Sequence, residues 1–262
     1  MIVFMYGIEV WEPLRPLRRW ALRRAKQLIA ISRFTAHKAI RANGLPPRKI
    51  RILNNCLDPQ LVTGIEASGG ETSLSLLTVA RLPAMGQYKG HDLVIKALPA
   101  LLRRFPELTY RIVGDGEGRS LLENLAGQLG VTKAVRFYGV VPDEELRRHY
   151  TEASVFIMPS RQEGFGFVFL EAMALGTPAI GGNQDATPEV IVHDQTGLLV
   201  DPCSVEDIIR ATTTLLENRE LRDKMGQAAA CHARQHFGFE SFRHKLLDHL
   251  SGSLQQTITS KS

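Results

Sequence analysis

Short apolar runs alternate along the chain with stretches whose apolar residues recur every three to four positions. Runs of four to eight apolar residues bounded by turn residues predict buried strands, and the wider spacing predicts helices. The first 55 residues then hold strands at 2–5, 27–31 and 50–53 around helices at 14–25 and 33–42. Ser32 is placed to cap the second helix, and Asn43-Gly44 to end it. Residues 56–73 turn polar and rich in glycine and serine, which predicts a linker. Beyond it, strands are expected at 74–80, 109–113, 135–140, 155–158, 179–182 and 197–200. The helices that follow them are expected at 91–105, 118–129, 143–150, 167–175, around 189–192, and at 205–216. Helices at 219–237 and 239–250 close the pattern, with a frayed, disordered polar tail from Ser251.

Alternation of strand and helix implies an α/β fold with a parallel sheet covered on both faces. The expected organisation is a Rossmann-like domain over 74–237, joined by the linker to a truncated second Rossmann-like piece at 1–55. That piece is too small to bury a good core alone, and its first strand, read as central, has no earlier partner. Ligands of such a sheet sit at the carboxyl ends of its strands, where the strand order reverses.

A composition of 44% hydrophobic and 23% charged residues fits a globular protein rather than a disordered one. No apolar run approaches the ~20 residues that span a bilayer. The start of the chain shows no basic region or cleavage site of a secretory signal. Cys56, Cys203 and Cys231 are scattered and form no CxxC pair, so reduced thiols and a cytoplasmic location are expected. His232 and His236 lie four apart beside Cys231, but no third strong ligand accompanies them, so no metal is expected.

Charge changes the picture at the amino terminus. Residues 1–56 carry nine Arg and three Lys against Glu9 and Glu12, a local +10 in a chain whose net charge is +5. Such asymmetry marks an anionic partner: a membrane surface, a nucleic acid or a phosphorylated ligand. The helix at 14–25, with Arg15, Arg18, Arg19, Arg23 and Arg24 near Trp11 and Trp20, reads either as a face for anionic lipid or as a solvated flank with Trp20 in the core. No nucleic-acid-binding motif accompanies the charge, and nucleic acid is not an expected partner.

The candidate chemistry centres on 155–177. A strand, a turn with glycines at 164 and 166, and a helix form the layout that aims backbone amides at a phosphate. With a helix starting near Gly164, Glu163 stands at its amino end and Glu171 about two turns (~3.6 residues each) further on, on roughly the same face. The pair can hold a sugar and a ribose across a diphosphate, or simply cap the helix and line its solvated side. Arg81 and Lys89 flank the end of the strand at 74–80 and suit a diphosphate, or are solvated loop charges. Gly114-Asp115-Gly116-Glu117-Gly118 is an imperfect dinucleotide motif because Arg119 follows. Gly139 would let a flat base approach the backbone.

As an ordered set, Arg81, Lys89-Gly90, Gly114-Asp115-Gly116, Phe137-Tyr138-Gly139, Pro159-Ser160, Glu163-Gly164-Phe165-Gly166 and Glu171-Ala172 resemble the family 4 glycosyltransferases of the GT-B fold. Gly176-Thr177-Pro178, Glu189 and Gly197-Leu198-Leu199-Val200 extend the likeness, and Glu163 and Glu171 match the family's E-x7-E motif. The resemblance implies retaining transfer of a sugar from a nucleotide-diphosphate-sugar co-substrate, without a metal or other cofactor. In that light Glu163 would hold the transferred sugar, Arg81 and Lys89 the departing diphosphate, and Glu171 the ribose. Gly164, Phe165 and Gly166 would supply the backbone cradle, with Gly114, Asp115 and Gly139 also on the donor side. Residues 6–11 resemble the end of the family's acceptor domain, normally written HGxExW, with Tyr6 where many members carry histidine. A sugar or lipid-linked acceptor, a cytoplasmic location with peripheral contact at the inner membrane face, and a partner chain supplying the rest of the acceptor domain are the expectations that follow. The alternative is a non-catalytic nucleotide-sugar-binding module or the donor half of a split enzyme. An NAD-dependent dehydrogenase is disfavoured by the imperfect glycine motif. The last helix is expected to cross back onto the amino-terminal piece and leave an apolar patch exposed.

Overall fold

A computed structural model describes residues 1–61, 73–83 and 89–259, with side chains of the last helix as far as Ser251. Three short parallel strands, β1 (Ile2–Met5), β2 (Gln27–Ala30) and β3 (Ile50–Ile52), form a small sheet in the order β1-β2-β3. Helices α1 (Pro16–Arg24) and α2 (Arg33–Asn43) connect them. Met5, Val10, Leu22, Leu28, Ala36 and Leu45 form its core. Among the described residues, β1 pairs with β2 alone. Ser32 Oγ accepts the Thr35 N–H, and Gly44 ends α2 at a φ of 58°, where a side chain would be strained. Trp20 is 57% exposed, so it does not belong to the core; Leu22 turns inward in its place.

The larger sheet contains β4 (Ser75–Val79), β5 (Thr109–Val113), β6 (Val135–Gly139), β7 (Val155–Met158), β8 (Ala179–Gly182) and β9 (Gly197–Val200). All are parallel, in the order β6-β5-β4-β7-β8-β9. The connecting helices are α3 (His91–Arg104), α4 (Arg119–Gln128), α5 (Asp143–Glu152) and α6 (Phe167–Ala174), and α7 (Val205–Glu217) follows β9. The short helix expected around 189–192 is a single 3-10 turn at Thr187–Glu189. Neighbouring residues of a strand face opposite sides of a sheet. Leu76, Ile112 and Ile157 therefore pack on one face with Val94, Leu98 and Leu215, while Leu77, Val113 and Phe156 pack on the other with Phe169, Met173 and Ala229.

Helix α8 (Arg219–Phe237) lies on the second face, and α9 (Phe239–Thr259) ends the described chain. One expectation is corrected here. The tail from Ser251 continues as helix to Thr259. The start of the linker is packed: Leu57 is buried in the second core, and its N–H donates to Phe237 O at 2.8 Å. Residues 62–72 of that linker lie outside the described residues. Helix α9 crosses back to the small sheet, with His249 Nε2 3.0 Å from Ile52 O, and leaves Phe239 and Leu247 half-exposed.

Candidate active site

Strand order reverses between β4 and β7, which pair directly through Leu76–Val155 and Leu77–Phe156. Their carboxyl ends feed the two loops that carry most of the predicted site residues. Gly90, with a φ of 79°, seats the start of α3 on the end of β7: a Cβ there would fall 2.5 Å from Pro159 O. That contact brings Lys89 to the turn after β7. Its Nζ lies 2.5 Å from Glu163 Oε2, although 74 positions separate the residues. Both side chains are largely shielded, at 17% and 16% exposure, so this is not a screened surface pair. Arg81 is exposed in the loop after β4.

The turn itself is held by its backbone. Glu163 N–H donates to Asp185 Oδ2 at 2.8 Å, and Ala186 N–H donates to Glu163 O at 3.1 Å. Gly166 takes a φ of 103° and caps α6, so the helix begins at Phe167 and not near Gly164. Glu163 therefore sits three residues ahead of the helix cap, because a left-handed glycine cannot lie inside the α-helix. Phe165 supplies a core side chain rather than a surface for ligand: it is 1% exposed and packs edge-on against Phe167 and Phe237, with ring centres 5.6 and 5.8 Å away. Only its backbone belongs to the turn.

Glu171 is half-buried in α6, and the hydroxyl of fully buried Tyr150 donates to its Oε2 at 2.7 Å. Burial pushes the Glu171 carboxyl above the usual carboxylate range; the Tyr150 hydroxyl pulls it back in part, while Asp143 and Asp58 add to the rise. Asp185 is likewise raised by burial, against hydrogen bonds that favour its charged form.

The glycines of 114–118 are explained by backbone packing. A Cβ on Gly114 would meet Ala80 O at 2.1 Å, and one on Gly116 would meet Leu82 O at 2.2 Å. They press their turn onto the segment after β4 that carries Arg81. Gly114 N–H donates to Gly139 O at 2.7 Å, and Gly139 takes a φ of 70° with its open side toward the Asp115 carboxylate. Tyr6 is 60% exposed on the small sheet's side of the turn. Glu9 Oε1 accepts the N–H groups of Tyr6 and Gly7 at 2.5 and 3.0 Å, which fixes that segment.

The structure thus joins Lys89 to Glu163, groups Asp115 with Gly139, and ties Glu171 to Tyr150. Tyr150 and Asp185 went unread because nothing in their local spacing points at the site. Among the described residues, no three His, Cys, Asp or Glu side chains are arranged to hold a metal, and no helix is long and apolar enough to cross a membrane. His232 and His236 face each other with ring centres 4.6 Å apart.

Residues 69–231 match the family described as "Glycosyl transferases group 1", and residues 7–61 match "Glycosyltransferase Family 4". The chain belongs to the family 4 glycosyltransferases. It is 38% identical over 182 residues to a GDP-mannose-dependent alpha-(1-6)-phosphatidylinositol monomannoside mannosyltransferase of Mycobacterium tuberculosis, covering 67% of this chain and 47% of the relative. The enzyme of the same name from Mycolicibacterium smegmatis is 32% identical over 96% of this chain and 70% of its own length. A D-inositol 3-phosphate glycosyltransferase of Corynebacterium aurimucosum is 36% identical over 60% of this chain and 39% of its own. The glycosyltransferase therefore spans about half the length of the first of these relatives. Among solved structures, a glycosyltransferase from Rickettsia africae superposes with a TM-score of 0.83 at 17% identity, covering 97% of this chain and 70% of that one. Anabaena Alr3699/HepE in complex with UDP and glucose gives 0.80 at 20% identity, covering 95% and 71%. These likenesses establish the GT-B fold.

Proposed function

We propose that this glycosyltransferase moves a hexosyl group from a nucleoside-diphosphate sugar to an acceptor hydroxyl with retention of configuration. The observation that carries the reading is the shielded Lys89–Glu163 contact at the point where strand order reverses, a cation and a carboxylate beside one glycine turn. In the reaction, the bond from the sugar's anomeric carbon to the diphosphate breaks, a bond to the acceptor oxygen forms on the same face, and the hydroxyl proton leaves with the diphosphate. Catalysis of this kind stabilises charge growing on the leaving phosphate and fixes the acceptor nearby. Lys89 and Arg81 are assigned to the phosphate, the amides around Gly164 and Gly166 to its oxygens, Glu171 to the ribose and Glu163 to the sugar. Two cations take the role that a metal takes elsewhere. The names of the relatives make GDP-mannose the first donor to test, with an inositol-bearing, lipid-linked acceptor. The basic, outward face of α1, with Leu17 and Trp20 exposed, suits peripheral contact with anionic lipid.

Thermal shifts with GDP, UDP and ADP test the donor site. One nucleotide at a hundredfold excess over its dissociation constant adds ~2.7 kcal/mol, or about 5–10 °C, and Glu171→Ala abolishes the shift. A folded chain that no nucleotide stabilises contradicts the proposal.

The raised Glu171 carboxyl sets a pH dependence. Ribose hydroxyls donate to the ionised form, so affinity is full above the raised value and falls as pH drops through it. In Tyr150→Phe the hydroxyl that favours the charged form is gone, and the midpoint moves to higher pH. Nucleotide titrations at a series of pH values read the midpoint; an unmoved midpoint removes Tyr150 from this role.

A further inference from the structure

Glu189 lies on the 3-10 turn after β8, yet its carboxylate caps a helix of the other sheet. Oε2 accepts the Arg33 N–H and Oε1 accepts the Phe34 N–H, both at 2.8 Å. These are the first two amides of α2, which no carbonyl inside the helix can satisfy. The third, Thr35 N–H, goes to Ser32 Oγ at 3.0 Å. The Ser32 hydroxyl in turn donates to Gly164 O at 2.7 Å. The opening turn of α2 is thus completed from the donor side, and the glycine turn of the site is held from α2.

The contacts form a closed circuit. Glu189 sits on the turn whose Thr187 N–H donates to Asp185 Oδ1 at 2.9 Å, while Asp185 Oδ2 takes the Glu163 N–H. From Glu163 the path returns through Gly164 to Ser32. Backbone packing within it is tight: a Cβ on Gly164 would lie 2.9 Å from Tyr6 O and 3.7 Å from Gly7 Cα. Charge reinforces the geometry, since a carboxylate at a helix amino terminus is stabilised by the helix dipole and by ionic hydrogen bonds.

We propose that Glu189 and Ser32 are positioning residues that lock the amino-terminal unit onto the glycine turn, holding the Tyr6–Gly7 backbone in register with Glu163. The catalytic consequence rests on the glycosyl-transfer reading above. Neither residue is assigned to the donor; both act through α2 and the turn. Only a carboxylate offers an acceptor to each amide. Glutamine offers one oxygen and opposes the second N–H with an NH2 group.

The test compares wild type with Glu189→Gln, Ser32→Ala and Ser32→Thr by three readouts: hydrogen exchange at the Arg33 and Phe34 amides, GDP affinity, and turnover of GDP-mannose. In Glu189→Gln, exchange at those amides is expected to quicken by on the order of tenfold as the start of α2 loosens. Turnover at saturating donor falls by roughly a hundredfold, as for a misplacement of about 1 Å, while GDP affinity stays within about twofold. Ser32→Ala changes turnover in the same direction, and Ser32→Thr, which keeps the hydroxyl, restores it. Unchanged exchange overturns the contact whatever the activity. Faster exchange with undiminished turnover, or GDP affinity that falls in step with turnover, overturns the positioning role. A wild-type chain that neither binds GDP nor turns over GDP-mannose counts against the proposed function instead, and the exchange comparison still decides the contact.

Discussion

Glu163→Ala lowers turnover of the nucleotide sugar by ~10²–10³-fold, the loss expected when one preorganised electrostatic group is removed from a shielded site. Nucleoside-diphosphate affinity, carried by Lys89, Arg81, the turn amides and Glu171, changes much less. The asymmetry follows from position. Glu163 stands ahead of the α6 cap beside Lys89, at the sugar end of the assigned donor, whereas Glu171 lies within the helix against Tyr150. Steady-state kinetics beside GDP titrations check the point. Equal losses in affinity and turnover would assign Glu163 to ground-state binding or to the integrity of the turn.

Phe165→Ala destabilises the fold by ~3–5 kcal/mol, as truncation of a buried aromatic does through lost burial and the cavity left behind. Phe165 is the one bulky side chain of the turn that points into the protein, where it meets Phe237 of α8. Denaturant unfolding with an unchanged m-value measures the loss. If Phe165 instead served the ligand from the surface, stability would hold within ~0.5 kcal/mol and only nucleotide binding would suffer.

Much of this was legible in the order of residues. Strand and helix periodicity, glycines and prolines as breaks, and Ser32 before α2 are local signals, governed by φ/ψ limits and by which residues tolerate burial. They outlined the strands of both sheets, with ends shifted by a residue or two, and the same local chemistry carried the family likeness of 81–200. Gly166 shows the limit of local reading: E-x7-E spacing suggested one helix face, but a φ of 103° placed Glu163 outside the helix. The tail after Ser251 looked polar enough to fray, yet continued as helix.

Strand order, by contrast, is a long-range property. Only the assembled sheet set β4 beside β7, and so brought Lys89 to Glu163 across 74 positions. Tyr150 against Glu171, Asp185 beneath Glu163 and Glu189 at the start of α2 have the same origin. Each is a buried or shielded polar group whose partner is far along the chain, and burial without water makes that partner obligatory. By itself, then, the sequence determined the parallel α/β plan and the kinds of residue at the strand ends; tertiary packing alone decided which of them touch, because desolvation and hydrogen-bond geometry act only once distant segments are side by side.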